Sequence, residues 1–181
     1  KRMGFINKLE YFSPKYEIRD ISDTLDLLRM YHDEYGIKQL RKAIQISGEA
    51  MIECMRSLRP GMSEEQLRAV YNFSCRFLGA RAFGFPTSVR SGSRRYDEHF
   101  PRSGKIMKTG ELVTIDAGAE INHYTADIQR TFPVSGTFGK KQAKMYNILK
   151  KAQEACIDLV KPGVTMKALQ EKAIEILDRE G

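Results

Sequence analysis

No stretch of these 181 residues approaches the roughly 18 consecutive apolar residues that a membrane-spanning helix needs. The opening Lys1-Arg2-Met3-Gly4-Phe5-Ile6 runs into Asn7-Lys8 and not into an apolar signal segment. No membrane partner is expected. Cysteine is scarce too: Cys54, Cys75 and Cys156 are odd in number, far apart, and form no Cys-x-x-Cys pair that would point to zinc or thiol redox chemistry. Buried thiols in a reducing cytoplasm are the expectation, which makes the protein cytoplasmic. A concentrated basic face is also missing. The formal net charge is +7, yet Lys and Arg alternate with Glu and Asp along helical segments, and the densest spots are only residues 90–95 and 140–144. Solvated helix faces account for that pattern better than phosphate contacts, so no nucleic acid is expected.

What is present suffices for one core: 41% of the residues are hydrophobic, in a chain too short for two full domains. Residues up to about 31 mix short apolar patches with Pro14, Ser13 and Ser22 and repeat nowhere later, so they read as a leader or a neighbour's tail. From Gly36 a helical stripe begins, with Leu40, Ala43, Ile44, Ile46, Ala50, Met51, Cys54 and Leu58 at spacings of three and four. It stops at Pro60-Gly61. Ser63 then opens a second helix, followed by Glu64, Glu65 and Gln66. Leu67, Val70, Tyr71, Ser74 and Leu78 carry its buried face.

The same pattern returns over residues 144–181. A shift of 102 residues carries Ala50 onto Ala152, Cys54 onto Cys156, Pro60-Gly61 onto Pro162-Gly163, Ser63 onto Thr165 and Leu67 onto Leu169. Strands follow the first helix pair, whereas the second copy runs out at Gly181. With no methionine at position 1, the chain reads as a piece of a longer protein.

Between the copies lies the strand-rich part. Leu112-Val113-Thr114-Ile115-Asp116 is β-branched, and the run from Tyr124 through Phe132 reads as one strand stopped by Pro133. With a turn at Ile121-Asn122, Asp116 faces Asp127 directly. Like charges so placed repel. A divalent cation relieves the repulsion, and two ions ~3.5–4 Å apart can share one carboxylate. Oxygen ligands favour hard ions such as Mn²⁺. A pair of surface aspartates is the plainer alternative. His99, in Tyr96-Asp97-Glu98-His99-Phe100, is a candidate ligand or proton carrier. The segment 84–92, punctuated by Gly and Pro, is a candidate pocket wall.

Asp116-Ala117-Gly118, Tyr124, Asp127 and Arg130-Thr131-Phe132-Pro133 resemble the signature of the pita-bread metallopeptidases, family M24, and within it the Xaa-Pro aminopeptidases. His99 lies seventeen residues before Asp116, and Asp127 eleven after it, as in that family. The resemblance covers residues 34–181, makes 1–33 the tail of the family's N-terminal domain and linker, and implies an α+β pita-bread fold, an antiparallel sheet with packed helices, here its first half and the first helices of its second. It implies hydrolysis of the N-terminal Xaa-Pro bond by a metal-activated water. Asp116 would hold one metal through both oxygens, Asp127 would bridge two, and His99 would contact substrate or the departing amine. Two Mn²⁺ are implied, with Co²⁺ or Zn²⁺ as alternatives, and the substrates would be peptides with proline second.

The family's remaining histidine and two glutamates have no counterpart in this chain, so the piece alone is expected to be inactive. An exposed half-domain edge would make a homodimer. Gln129 stands where relatives carry a small hydroxyl residue. Methionine aminopeptidase, a prolidase-like peptidase and a non-catalytic peptide-binding or protein-binding module are the competing readings. The residues after Asp127 differ from the methionine enzyme's pattern, and retention of both aspartates speaks against the binding module.

Overall fold

The computed structural model describes residues 2–12, 19–93 and 104–181. Two compact units, Lys1–Gln39 and Leu40–Gly181, divide inside a helix. In the first, α1 (Arg2–Phe12) and α2 (Ser22–Met30) precede the start of α3 (Glu34–Ser57). The sequence reading assigned no helix to the first thirty residues. The starts of α2 and α3 have local causes: Asp20 Oδ1 accepts from the Ser22 amide and hydroxyl at 2.9 and 2.6 Å, and Asp33 Oδ1 accepts from the Gly36 amide at 2.8 Å.

The second unit is built on the expected helix pair. Along α3 the buried stripe is Ala43, Ile46, Ala50, Met51 and Cys54. Ile44, expected in that stripe, is half exposed, because it sits one residue off the i, i+3, i+4 row. A turn at Gly61, whose φ of 93° favours glycine, leads to α4 (Glu64–Phe77). The capping box is complete: Gln66 N–H donates to Ser63 Oγ at 3.1 Å, and Ser63 N–H donates to Gln66 Oε1 at 2.8 Å. Leu67, Tyr71 and Cys75 are fully buried beneath it.

Among the described residues six strands follow: β1 (Ala82–Phe83), β2 (Ser88–Ser91), β3 (Leu112–Ala117), β4 (Ala119–Ile121), β5 (Tyr124–Thr125) and β6 (Ile128–Pro133). They form two antiparallel sheets, in the orders β1-β4-β5 and β2-β3-β6. Alternation on β3 divides its faces. Val113, Ile115 and Ala117 are fully buried in the core shared with α3 and α4, where each large apolar side chain contributes about 1.5–3 kcal/mol. Leu112, Thr114 and Asp116 take the opposite face. Alanines at 43, 50, 117 and 119 are buried in this core. A polar link crosses it from sheet to helix, the Ala119 amide donating to Ser47 Oγ at 2.9 Å.

The hairpin register corrects the expectation. Asp116 faces Gln129, not Asp127, and Ile121 faces Tyr124. The tip is Asn122-His123, with φ of 51° and 69°, the pair of left-handed residues that a two-residue type I′ turn requires. Moving the tip by one residue moves every partner by two. The expected single strand from Tyr124 to Phe132 is also broken, at Ala126-Asp127.

After the sheets, α5 (Lys140–Leu159) and α6 (Met166–Glu180) repeat the first pair. Gly163 has φ 90°, and the Ala168 amide donates to the N-cap Thr165 Oγ1 at 3.2 Å. The antiparallel sheets and packed helices match the α+β class expected from sequence.

Candidate metal centre

Asp116 is the penultimate residue of the central strand of its sheet, paired with Ser88 on β2 and with Gln129 on β6. Backbone hydrogen bonding from both sides therefore fixes its position. Its side chain is 29% exposed, on the face opposite the core shared with α3 and α4. Asp127 is exposed in the two-residue break between β5 and β6. Strand pairing on β6 begins at Ile128, which faces Ala117, so Asp127 lies one residue beyond the paired ladder that holds Asp116.

Gly118 makes the break. A Cβ there would overlap the carbonyl of Ala126, so the two arms of the hairpin approach closely only because residue 118 has no side chain. The Gly118 carbonyl accepts from the Gly84 amide at 3.0 Å, and the Ala126 amide donates to the Ala119 carbonyl at 3.0 Å. The Asp116-Ala117-Gly118 run is thus a geometric unit: a carboxylate, a core alanine and the glycine that lets Asp127 come near.

One residue at the site escaped the sequence reading. Arg90 lies on β2 opposite Thr114, and its Nη2 is 3.9 Å from Asp116 Oδ2. Its side chain is only 6% exposed. The available signal was an arginine inside the short strand Ser88–Ser91, two residues from the partner of Asp116 and so on the same face. Beyond it, Thr114 and Thr131 share a hydroxyl hydrogen bond at 2.8 Å.

Where β2 ends, a polar cluster ties the chain down. Glu64 Oε1 accepts from both the amide and the hydroxyl of Ser91 at 2.8 Å. Lys105 Nζ donates to Ser91 Oγ at 3.0 Å and to both Glu111 oxygens at 2.9 Å. Burial raises the Glu111 carboxyl, but hydrogen bonds from Lys105 and the Lys108 amide, with the charges of both lysines, outweigh it and hold it below its usual range. Ser91 and Lys105 bracket the segment that carries His99, and His99 itself lies outside the described residues. His123, at the hairpin tip, has Nδ1 3.5 Å from Glu120 Oε1.

Among the described residues no three His, Cys, Asp or Glu side chains cluster closely enough to hold a metal ion. The two aspartates fit a hard divalent cation by donor type and solvent access, and would supply only part of a coordination shell. No helix among the described residues is long and apolar enough to cross a membrane.

Mouse Xaa-Pro aminopeptidase 3 is 30% identical over 166 residues, covering 92% of this chain and 33% of that protein. The Xaa-Pro dipeptidase of Pyrococcus horikoshii is 32% identical over 178 residues, covering 98% of this chain and 50% of that protein. In the crystal structure of the Thermotoga maritima X-Pro aminopeptidase, 99% of this chain superposes on 51% of that one, with a TM-score of 0.87 and 30% identity. The chain therefore spans a third to a half of these relatives and shares the aminopeptidase P, or pita-bread, fold. The profile of "Metallopeptidase family M24" matches residues 38–181, and the chain belongs to that family.

Proposed function

We propose that the protein is a metal-dependent Xaa-Pro aminopeptidase whose dinuclear site uses Asp116 and Asp127, and that these 181 residues alone do not hydrolyse peptides. The observation that supports this reading is the close approach of the two hairpin arms at Gly118, between the strand that holds Asp116 and the break that carries Asp127. The names of the relatives, Xaa-Pro aminopeptidase and Xaa-Pro dipeptidase, support peptides with proline in second position as substrates.

Divalent ions bound at such a site, with Mn²⁺ as the proposed metal, supply Lewis acidity and an acidified water. The chain's own residues set the geometry. Asp116, pinned in the central strand, and Asp127, in the break between β5 and β6, would hold the ions. His99 would contact the substrate or the departing amine and pass on the proton that the amine takes up as it leaves. A histidine and two glutamates from outside this chain complete the shell, which is why the chain alone is inactive. A second copy covers the open β6 edge, and a strictly monomeric species in light scattering would sink that part of the proposal. The free thiols Cys54, Cys75 and Cys156 agree with a reducing cytoplasm.

The test is calorimetric titration with Mn²⁺ of this chain and of Asp127→Ala, with Xaa-Pro dipeptides and tripeptides assayed in the same samples. Binding lost in the variant, with no hydrolysis by either, is the expected result. Equal binding by both chains would overturn the assignment. The match over 98% of the chain to a dipeptidase favours a second reading, in which the substrate is the dipeptide itself. Should hydrolysis occur, dipeptide-only cleavage selects that reading, and cleavage of tripeptides selects the aminopeptidase.

A further inference from the structure

Asp116 already has a cation beside it. Arg90 reaches it from the neighbouring strand, Nη2 to Oδ2 at 3.9 Å, with the guanidinium almost wholly buried and the carboxylate part exposed. The strand register holds the two together: Arg90 pairs with Thr114, Ser88 with Asp116, and all four residues share one face of the sheet. A guanidinium keeps its proton at any pH a folded protein survives, so this charge cannot be shed to make room for a metal. A long side chain so nearly buried also has few other rotamers open to it.

Resting on the reading of Asp116 as a metal ligand, we infer that Arg90 is a built-in counter-cation of the site, a positioning residue whose fixed charge lies 3.9 Å from Oδ2 of Asp116. One consequence follows from charge alone. A dication at Asp116 feels the repulsion of a fixed positive charge a few ångströms away, and this weakens its hold. Metal loading is then a contest between guanidinium and ion for one carboxylate, and the site binds metal reversibly and weakly until further ligands join.

The experiment measures Mn²⁺ affinity, not activity. Four chains are titrated by calorimetry: the native chain, Arg90→Gln, Arg90→Lys and Asp116→Asn. Arg90→Gln is expected to bind Mn²⁺ at least tenfold more tightly than the native chain, Arg90→Lys to stay within threefold of it because the charge remains, and Asp116→Asn to lose binding. If Asp116→Asn abolishes binding while Arg90→Gln leaves the affinity unchanged, the counter-cation inference fails and the metal reading stands. If Asp116→Asn binds as the native chain does, the metal reading fails and takes the inference with it.

Removing a buried charge can unfold the sheet, so a second measurement uses the native chain alone. Mg²⁺ is titrated while the arginine Nε–H signals are followed by NMR, with Arg90 assigned from its absence in Arg90→Lys. A shift of that signal saturating with the metal supports the contest for Asp116. A signal unmoved at saturating Mg²⁺ overturns it.

Discussion

Cys54 and Cys156 make the same bond one repeat apart: each thiol donates to the carbonyl of the leucine thirteen residues on, Leu67 at 3.7 Å and Leu169 at 3.4 Å. A glycine turn, a hydroxyl N-cap and a buried cysteine recur together, which raises the internal repeat from a sequence pattern to a shared packing solution.

The repeat predicts unequal thiol chemistry. Burial pushes Cys54 up to about 12 and Cys75 up to about 11, and both are fully enclosed, whereas Cys156 is only part buried. The thiolate is the reactive form. A disulfide reagent at pH 8 should modify one thiol per native chain quickly, at Cys156, and three after unfolding. Fast reaction of two or more in the native state would contradict this.

Gly118→Ala should destabilise the hairpin, because the new methyl meets the Ala126 carbonyl and the arms must part. Overpacking of this kind costs about 1–3 kcal/mol or more. Urea unfolding measures it, and the same variant should lose Mn²⁺ affinity as Asp127 moves away. A change under 0.5 kcal/mol would mean that the close approach is not required.

The hairpin tip offers a gain. His123 holds a left-handed backbone at φ 69° behind Asn122, where the favoured type I′ pair is Asn-Gly. Its contact with Glu120 is at an exposed position and adds little. His123→Gly should raise stability by about 0.5–1 kcal/mol, the relief of left-handed strain less the extra entropy of glycine in the unfolded chain. A lower unfolding midpoint would show that the imidazole has a structural part.

Glu111 sets an acid limit. Its carboxyl lies below the usual 4.5 in the folded chain, so its ionised form contributes stability above that value, and the contribution disappears as pH falls through the depressed folded value. Between pH 7 and 3, Glu111→Gln should start less stable and lose less stability below pH 4.5 than the native chain does. Parallel curves from denaturant unfolding would leave the Lys105 cluster without this role.

Asp127→Ala, by contrast, should change stability by no more than about 0.5 kcal/mol, since the side chain is exposed and stands outside strand pairing. Thermal melting checks that any loss of Mn²⁺ binding in this variant is local.

Much of this protein is determined by the sequence itself, wherever the cause is local. The spacing of Ala43, Ala50 and Cys54, the Ser63 cap, the Pro-Gly turns and the β-branched run before Asp116 each act within a few residues, and the elements form where those signals lie. The family motif rests on residue identity and was equally legible. Helix α1 escaped because its apolar residues form no one-sided stripe, and α2 because it is only nine residues long and buries none of them. Which residue faces which was decided only by the tertiary structure. A two-residue turn can sit at Ile121-Asn122 or one step later, and left-handed conformations at both Asn122 and His123 choose the later one, placing Gln129 opposite Asp116. Arg90 came to the carboxylate through the pairing of β2 with β3, across a separation in sequence that no local pattern encodes. Local hydrogen bonding writes the elements, but long-range strand pairing aims the charges, and the candidate metal site is made of charges.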